Sequence, residues 1–276
     1  MVSTMPGEGP RRLVETRQRG WLDPRAAVAH FDYRPLTCVP ELEPFVGHFW
    51  VITWDLARPY TQQLVSHPAV NLTITEDFAR VAGVVRGGFA QTLAGRGRVI
   101  GVHFRPGGFR PFLSGSVSAL TDRFIPISDM YGDAGAALVR DVLGTEDAEA
   151  ALSLIERFLL GLGPIPDPVV DEVAALVDRI DTDMSLTRVD QVAALAGMSM
   201  RSLQRLFHDY VGVGPKWVIR RCRLHEAAAR ASEDDPPDLA RLAAELGYTD
   251  QAHLTRDFTA AVGRPPAAYA RDSRPG

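Results

Sequence analysis

The sequence predicts two domains: a β-rich amino-terminal domain with trailing helices (α+β) and an all-α carboxy-terminal domain. Three observations carry this. The length of 276 residues exceeds one ordinary domain. Apolar and polar residues alternate between about residues 36 and 105, then apolar residues recur at helical spacing. A segment near residue 200 repeats itself about fifty residues later.

Residues 1–35 lack the apolar core of a signal peptide and read as a disordered leader. Short strands separated by turn signals follow: "FVGHFWVITW" (45–54), "QQLVSH" (62–67), "VNLTITED" (70–77), "RVAGVVRGG" (80–88) and "RVIGVHFRPGG" (98–108). "FRPFLSG" reads as a short helix, and "DAGAALVRDVLG" and "EDAEAALSLIERFLLGLG" carry amphipathic helical faces. The first domain therefore spans 36–165, "GPIPDP" (163–168) is a linker by composition, and the second domain spans 168–271.

Composition is that of a soluble globular protein, 46% hydrophobic and 23% charged. No apolar run reaches the roughly 18 residues of a membrane span. Cys38 and Cys222 lie far apart and read as free thiols in a reducing cytoplasm. The net charge of −4 argues against a polyanion-binding surface over the whole chain. A local patch is another matter. Seven basic residues lie from Arg201 to Arg230, against Asp209 and Glu226 as the only acids. Lys216, the chain's only lysine, is among them.

That basic stretch overlaps the repeat. "VAALAGMSMRSLQRLFHDYVGVGP" (192–215) aligns with "LAAELGYTDQAHLTRDFTAAVGRPP" (242–266). Leu203, Arg205, Phe207 and Gly212 match Leu254, Arg256, Phe258 and Gly263, each 51 residues on, whereas the elements before the turn match at 50. One copy therefore has a turn one residue longer. Each copy reads helix, glycine turn, helix, with Gly197 and Gly247 ending the first helix and Ser199 and Thr249 suited to cap the second. Leu203, Leu206, Phe207, Tyr210 and Val211 share one face of the second helix; Arg201, Gln204, Arg205 and His208 share the other. In the second copy Leu254, Phe258 and Val262 point inward, and Gln251, Ala252, Thr255 and Arg256 lie towards the other side. This is the helix-turn-helix pattern, whose second helix enters the major groove of DNA.

The outward residues suit that task. Arginine bonds O6 and N7 of guanine in bidentate fashion, glutamine does the same with N6 and N7 of adenine, and alanine or threonine methyls meet the thymine methyl. Between the copies, "GPKWVIRRCRLHEAAARAS" (214–232) predicts one continuous helix of about 25 Å. That length suits two reading heads about one DNA turn, roughly 34 Å, apart. Lys216, Arg220, Arg221 and Arg223 on this helix are placed to meet phosphates, with Ser199 and Thr249 at the starts of the reading helices.

On these residues the carboxy-terminal domain resembles the AraC/XylS family of transcription regulators. "LAAELGYTDQAHLTRDFTAAVGRPPAAYAR" is similar to the family signature over its whole length, and "VGVGPKWVIRRCRLHEA" also fits. The resemblance implies seven helices with two helix-turn-helix units. It implies base contacts at Arg201, Gln204 and Arg205 in the first unit and at Gln251, His253 and Arg256 in the second. Ala252 departs from the pattern, since many members carry a polar residue there. The acidic "SEDDPPD" (232–238) is expected to face away from phosphates.

"FVGHFWVITW" and "GVHFRPGG" make residues 36–165 resemble the sensory half of an uncharacterised subgroup of such regulators. The resemblance implies a cupin-like or related β-barrel, open to effector binding and to dimerisation alike; it names no ligand. His48, His67 and His103 fall on the strands, but neither the close H-x-H nor the following glutamate of a cupin metal site is present, so core or turn histidines are the expectation. Phe49, Trp50, Trp54, Phe104 and Phe109 either line an apolar pocket or fill the barrel, the second being favoured. "GRGRVIG" (95–101) lacks the glycine spacing of a dinucleotide site, and no G-x-S-x-G elbow, P-loop or C-x-x-C occurs.

The sequence thus predicts a cytoplasmic, sequence-specific transcription regulator, with activation the commoner mode in the resembled family. It is no enzyme and has no catalytic residue, metal or cofactor. Its partners would be promoter DNA and RNA polymerase, with a small-molecule effector and a second copy left open and no membrane. The alternative is a DNA-binding module fused to a cysteine- or metal-dependent sensor or enzyme domain, for which Cys38 is the available thiol.

Overall fold

The structure, a computed structural model, describes Leu13, residues 29–233 and residues 238–272. Most of the expected leader lies outside the described residues, but its last part does not. Asp32–Leu36 forms a strand, β1, paired antiparallel with the next one, so the β-rich domain starts earlier than the sequence indicated.

Five further strands follow: β2 (Val46–Val65), β3 (Asn71–Ile74), β4 (Ala79–Ala82), β5 (Gly88–Phe104) and β6 (Phe124–Pro126). Among the described residues they make one antiparallel sheet in the order β1-β2-β5-β3-β4-β6. The two segments expected as separate strands at 45–54 and 62–67 are one strand of 20 residues. Pro59 lacks an N–H for the ladder, and the pairing shifts register there, between Leu56 and Tyr60, so the strand passes its proline through a bulge.

The period-2 alternation sorts side chains to two faces. Phe49, Val51, Leu72, Ile74, Val81, Ile100, Val102 and Phe104 point to one face. There they bury against α1 (Ile127–Leu143) and α2 (Ala148–Gly161) through Leu138, Val142, Leu152, Ile155 and Leu159. The other face carries His48, Trp50, Thr73, Arg80 and His103, and it curls around a cavity lined from all six strands.

Among the described residues the carboxy-terminal domain has seven helices: α3 (Pro168–Thr182), α4 (Val189–Leu195), α5 (Met200–Tyr210), α6 (Pro215–Ala231), α7 (Leu239–Glu245), α8 (Gln251–Val262) and α9 (Pro266–Asp272). The linker starts α3 directly, since Asp167 caps it by accepting from the Val169 N–H at 3.0 Å. The domain has two cores. Val192, Leu203, Phe207, Val211, Val218 and Cys222 hold the first helix-turn-helix unit. Leu224, Leu242, Leu246, Leu254, Phe258 and Tyr269 hold the second. The bridging helix α6 contributes to both.

Candidate DNA interface and the cavity behind it

Each helix-turn-helix unit is set by its turn. Gly197 (φ 62°) and Gly247 (φ 70°) adopt the left-handed backbone that glycine takes without steric cost. In the first unit Ser199 caps α5, its Oγ accepting from the Ser202 N–H at 3.1 Å, as expected. In the second the cap is not Thr249 but Asp250, whose Oδ1 accepts from the His253 N–H at 2.7 Å. The extra residue of the second copy therefore lies between Gly247 and the cap, and the carboxylate also complements the helix dipole.

Burial of Leu203, Phe207, Leu254 and Phe258 fixes the rotation of the two reading helices. Arg201, Gln204 and Arg205 on α5 are exposed, as are Gln251, Ala252 and Arg256 on α8. Among the described residues, Arg201, Arg205, Arg256 and Lys216 have no carboxylate within ion-pair reach. His253 is half-buried, edge-on to the Tyr248 ring and 3.9 Å from Asp257. Arg220 is exposed but engaged, donating to both Asp257 oxygens at 3.1 and 2.7 Å and so tying the bridging helix to the second reading helix.

Two arginines depart from the phosphate-facing expectation. Arg221 is only 2% exposed; it stacks over Trp217 and donates to the Arg86 carbonyl in the β-rich domain. Burial holds its pKa at about 10. Arg223, 6% exposed, donates to the carbonyls of Leu186, Ile219 and Met184. Much of α6 is enclosed on every side, so a cation there bonds backbone carbonyls instead of solvent. Of the acidic loop at 232–238, residues 234–237 lie outside the described residues, so its facing is not described.

The β-rich domain grips both units from behind. Val84 is part of the first unit's core and Val65 part of the second's. Ser116 Oγ donates to the His208 carbonyl at 3.0 Å and Thr121 Oγ1 to the Gly212 carbonyl at 2.6 Å, both at the carboxy-terminal end of α5. These contacts leave the outward faces of the reading helices open.

The cavity has a volume of about 560 Å³. The aromatic residues divide between the two roles left open by the sequence: Phe49, Phe104 and Phe109 fill the core, whereas Trp50 and Trp54 line the cavity. The glycines of "GRGRVIG" explain how. Gly101 pairs with Trp50 and Gly97 with Trp54, and a Cβ at either would fall 2.2 or 2.3 Å from the facing indole. The glycines are seats for rings lying flat on the sheet.

His48, His67 and His103 meet on the cavity wall, with ring centroids 4.9 Å apart for His48 and His103 and 6.1 Å for His67 and His103. His225 from α6 joins them, 4.4 Å from His67 and bonded to the Val65 carbonyl. Among the described residues no three His, Cys, Asp or Glu groups are placed to share a metal ion. Burial and the neighbouring imidazoles push His48 down to about 4 and His103 well below the usual histidine range, so both are neutral at pH 7. Cys38 is half-buried beside the β-domain core, and Cys222 is buried in the first helix-turn-helix core.

Two helix-turn-helix units on one bridging helix define a DNA-binding domain. Residues 192–272 match a family model described as a helix-turn-helix domain, and residues 36–126 match one described as a domain of unknown function (DUF6597). A protein of Streptomyces lividans described as an AraC-like transcription regulator is 33% identical over 121 residues, 44% of this chain and 38% of that one. The HTH-type transcriptional regulator Rv1931c of Mycobacterium tuberculosis is 34% identical over 82 residues, 30% of this chain and 31% of its own length. This chain thus spans well under half the length of either relative. Of solved structures, ToxT from Vibrio cholerae aligns over 90% of this chain and all of its own at 10% identity, with a TM-score of 0.39. Residues 192–272 of this protein form a helix-turn-helix domain, similar to that of AraC-like transcription regulators.

Proposed function

We propose that the protein is a sequence-specific transcription regulator that binds promoter DNA through both helix-turn-helix units under the control of its β-rich domain. One observation carries this: two reading helices in matching settings present Arg201 and Arg205 on one and Arg256 on the other, all exposed on the face opposite the core and, among the described residues, without a carboxylate partner. Arg201, Gln204 and Arg205 read one major-groove segment; Gln251, His253 and Arg256 read the next. Ser199, Lys216, Arg220 and Thr249 meet the phosphates. Arg221 is left out of that set because it is buried.

Control by the β-rich domain is supported by the two valines it plants in the helix-turn-helix cores. Val65 itself lines the cavity, and Val84 stands between cavity-lining Gly83 and Val85. A ligand that shifts either segment acts directly on the packing behind a reading helix. In this reading the protein works in the cytoplasm, contacts RNA polymerase, and dimerises through the β-rich domain if its operator spans more than two reading segments. Gel-shift titration of the full-length protein against its own upstream DNA, with Arg205→Ala and Arg256→Ala, tests the assignment. Loss of specific binding with non-specific binding retained supports it, and equal loss of both overturns it.

A further inference from the structure

We propose that the cavity is built for an apolar molecule carrying one anionic group, a carboxylate or sulfonate, with Arg80 as its counter-ion. The proposal rests on the reading of the cavity as an effector site and adds the chemistry of the effector.

Among the residues lining the cavity, Asp77 and Arg80 carry the permanent charges. Asp77 is exposed and makes no ion pair with Arg80. Arg80 projects from β4 on the same face as Trp50, with Thr73 and Gly101 between them across the sheet. Its guanidinium is sandwiched, with its carbon 3.8 Å from the centroid of the Phe78 ring and 4.2 Å from that of Phe124. Both faces of the ion are thus covered by aromatic carbon, which favours a cation electrostatically but accepts none of its five in-plane N–H bonds. Among the described residues no side chain or carbonyl accepts from it, and its Nε is fully buried without a partner. Burial lowers its pKa from the ordinary value, the mark of a cation whose desolvation no carboxylate offsets.

A buried donor without a partner is costly, and among the arginines with such a nitrogen Arg80 is the one that lines the cavity, where a ligand can reach it. With its faces blocked, the guanidinium offers only its edge. Two parallel N–H groups at an edge match the two oxygens of a carboxylate, or two of the three of a sulfonate. The rest of the wall suits the rest of such a molecule: the indoles of Trp50 and Trp54 lie flat, and Phe31, Ile52 and Leu93 give apolar surface.

Two fluorescent probes of one ring system separate the possibilities: 8-anilinonaphthalene-1-sulfonate, an anion, and N-phenyl-1-naphthylamine, its neutral counterpart. Binding to the full-length protein is followed by energy transfer from tryptophan, with Trp50→Phe reporting occupancy of the cavity. The anion should bind at least tenfold more tightly than the neutral probe. Arg80→Met should remove that advantage while leaving the neutral probe's affinity unchanged, and Arg80→Lys should restore part of it. Neutral-probe binding also shows that the variant cavity is intact. Equal affinity of the two probes for the wild type, or an anion affinity unaffected by Arg80→Met, overturns the proposal while the effector cavity stands. Failure of both probes to enter overturns the effector cavity, and the proposal with it.

Discussion

Arg205 and Arg256 occupy equivalent places in the two units, 51 residues apart, each exposed and, among the described residues, without a carboxylate partner. Replacing either with alanine should cost about 1–3 kcal/mol on the specific site and relax the preference at one base position, as read by binding-site selection. Lys216→Ala should instead weaken all sequences alike and reduce the salt slope of binding by about 1. At the cavity, His48 yields a pH prediction. Its folded pKa, about 4, lies below the ordinary 6.5, so the unfolded chain binds the extra proton first. Its contribution to stability is complete above about pH 6.5 and is lost as pH falls towards 4. The urea midpoint should therefore fall between pH 7 and pH 5, and His48→Gln should shrink that fall. An unchanged pH dependence in the variant would refute the assignment.

The elements show what patterning does and does not reveal. The reading helices were legible because one face of each is solvated, so period 3.6 sorted Leu203 and Phe207 from Arg201 and Arg205. The bridging helix α6 was legible in extent but not in orientation. It is enclosed along much of its length, so charge did not mark the outside, and Arg221 and Arg223 turned inward onto carbonyls. Arg223→Leu should leave the Leu186 and Met184 carbonyls without that donor and cost about 1–3 kcal/mol, measured by urea unfolding. In the sheet, Pro59 made one long strand look like two, because a bulge is invisible to alternation. The facing of Trp50 with Gly101, and the meeting of His48, His67, His103 and His225, depend on cross-strand register and on domain contact, which no local pattern encodes. The cavity was accordingly the least legible part of the candidate site.

At the scale of the whole molecule, the β-rich domain holds the two reading units by their backs, through Val84 and Ser116 at the first and Val65 at the second. This arrangement fixes the distance between the units as long as those contacts hold. In the proposed binding mode both units read adjacent segments of one DNA duplex. The most direct measurement is a footprint of the full-length protein on the DNA upstream of its own and neighbouring genes, at two salt concentrations. Protection of about two adjacent helical turns is expected. Either Arg205→Ala or Arg256→Ala should raise the protein concentration needed for that protection at least about fivefold, and the higher salt should weaken it. Protection that ignores both substitutions, or no protection at either salt by the folded protein, would contradict that binding mode.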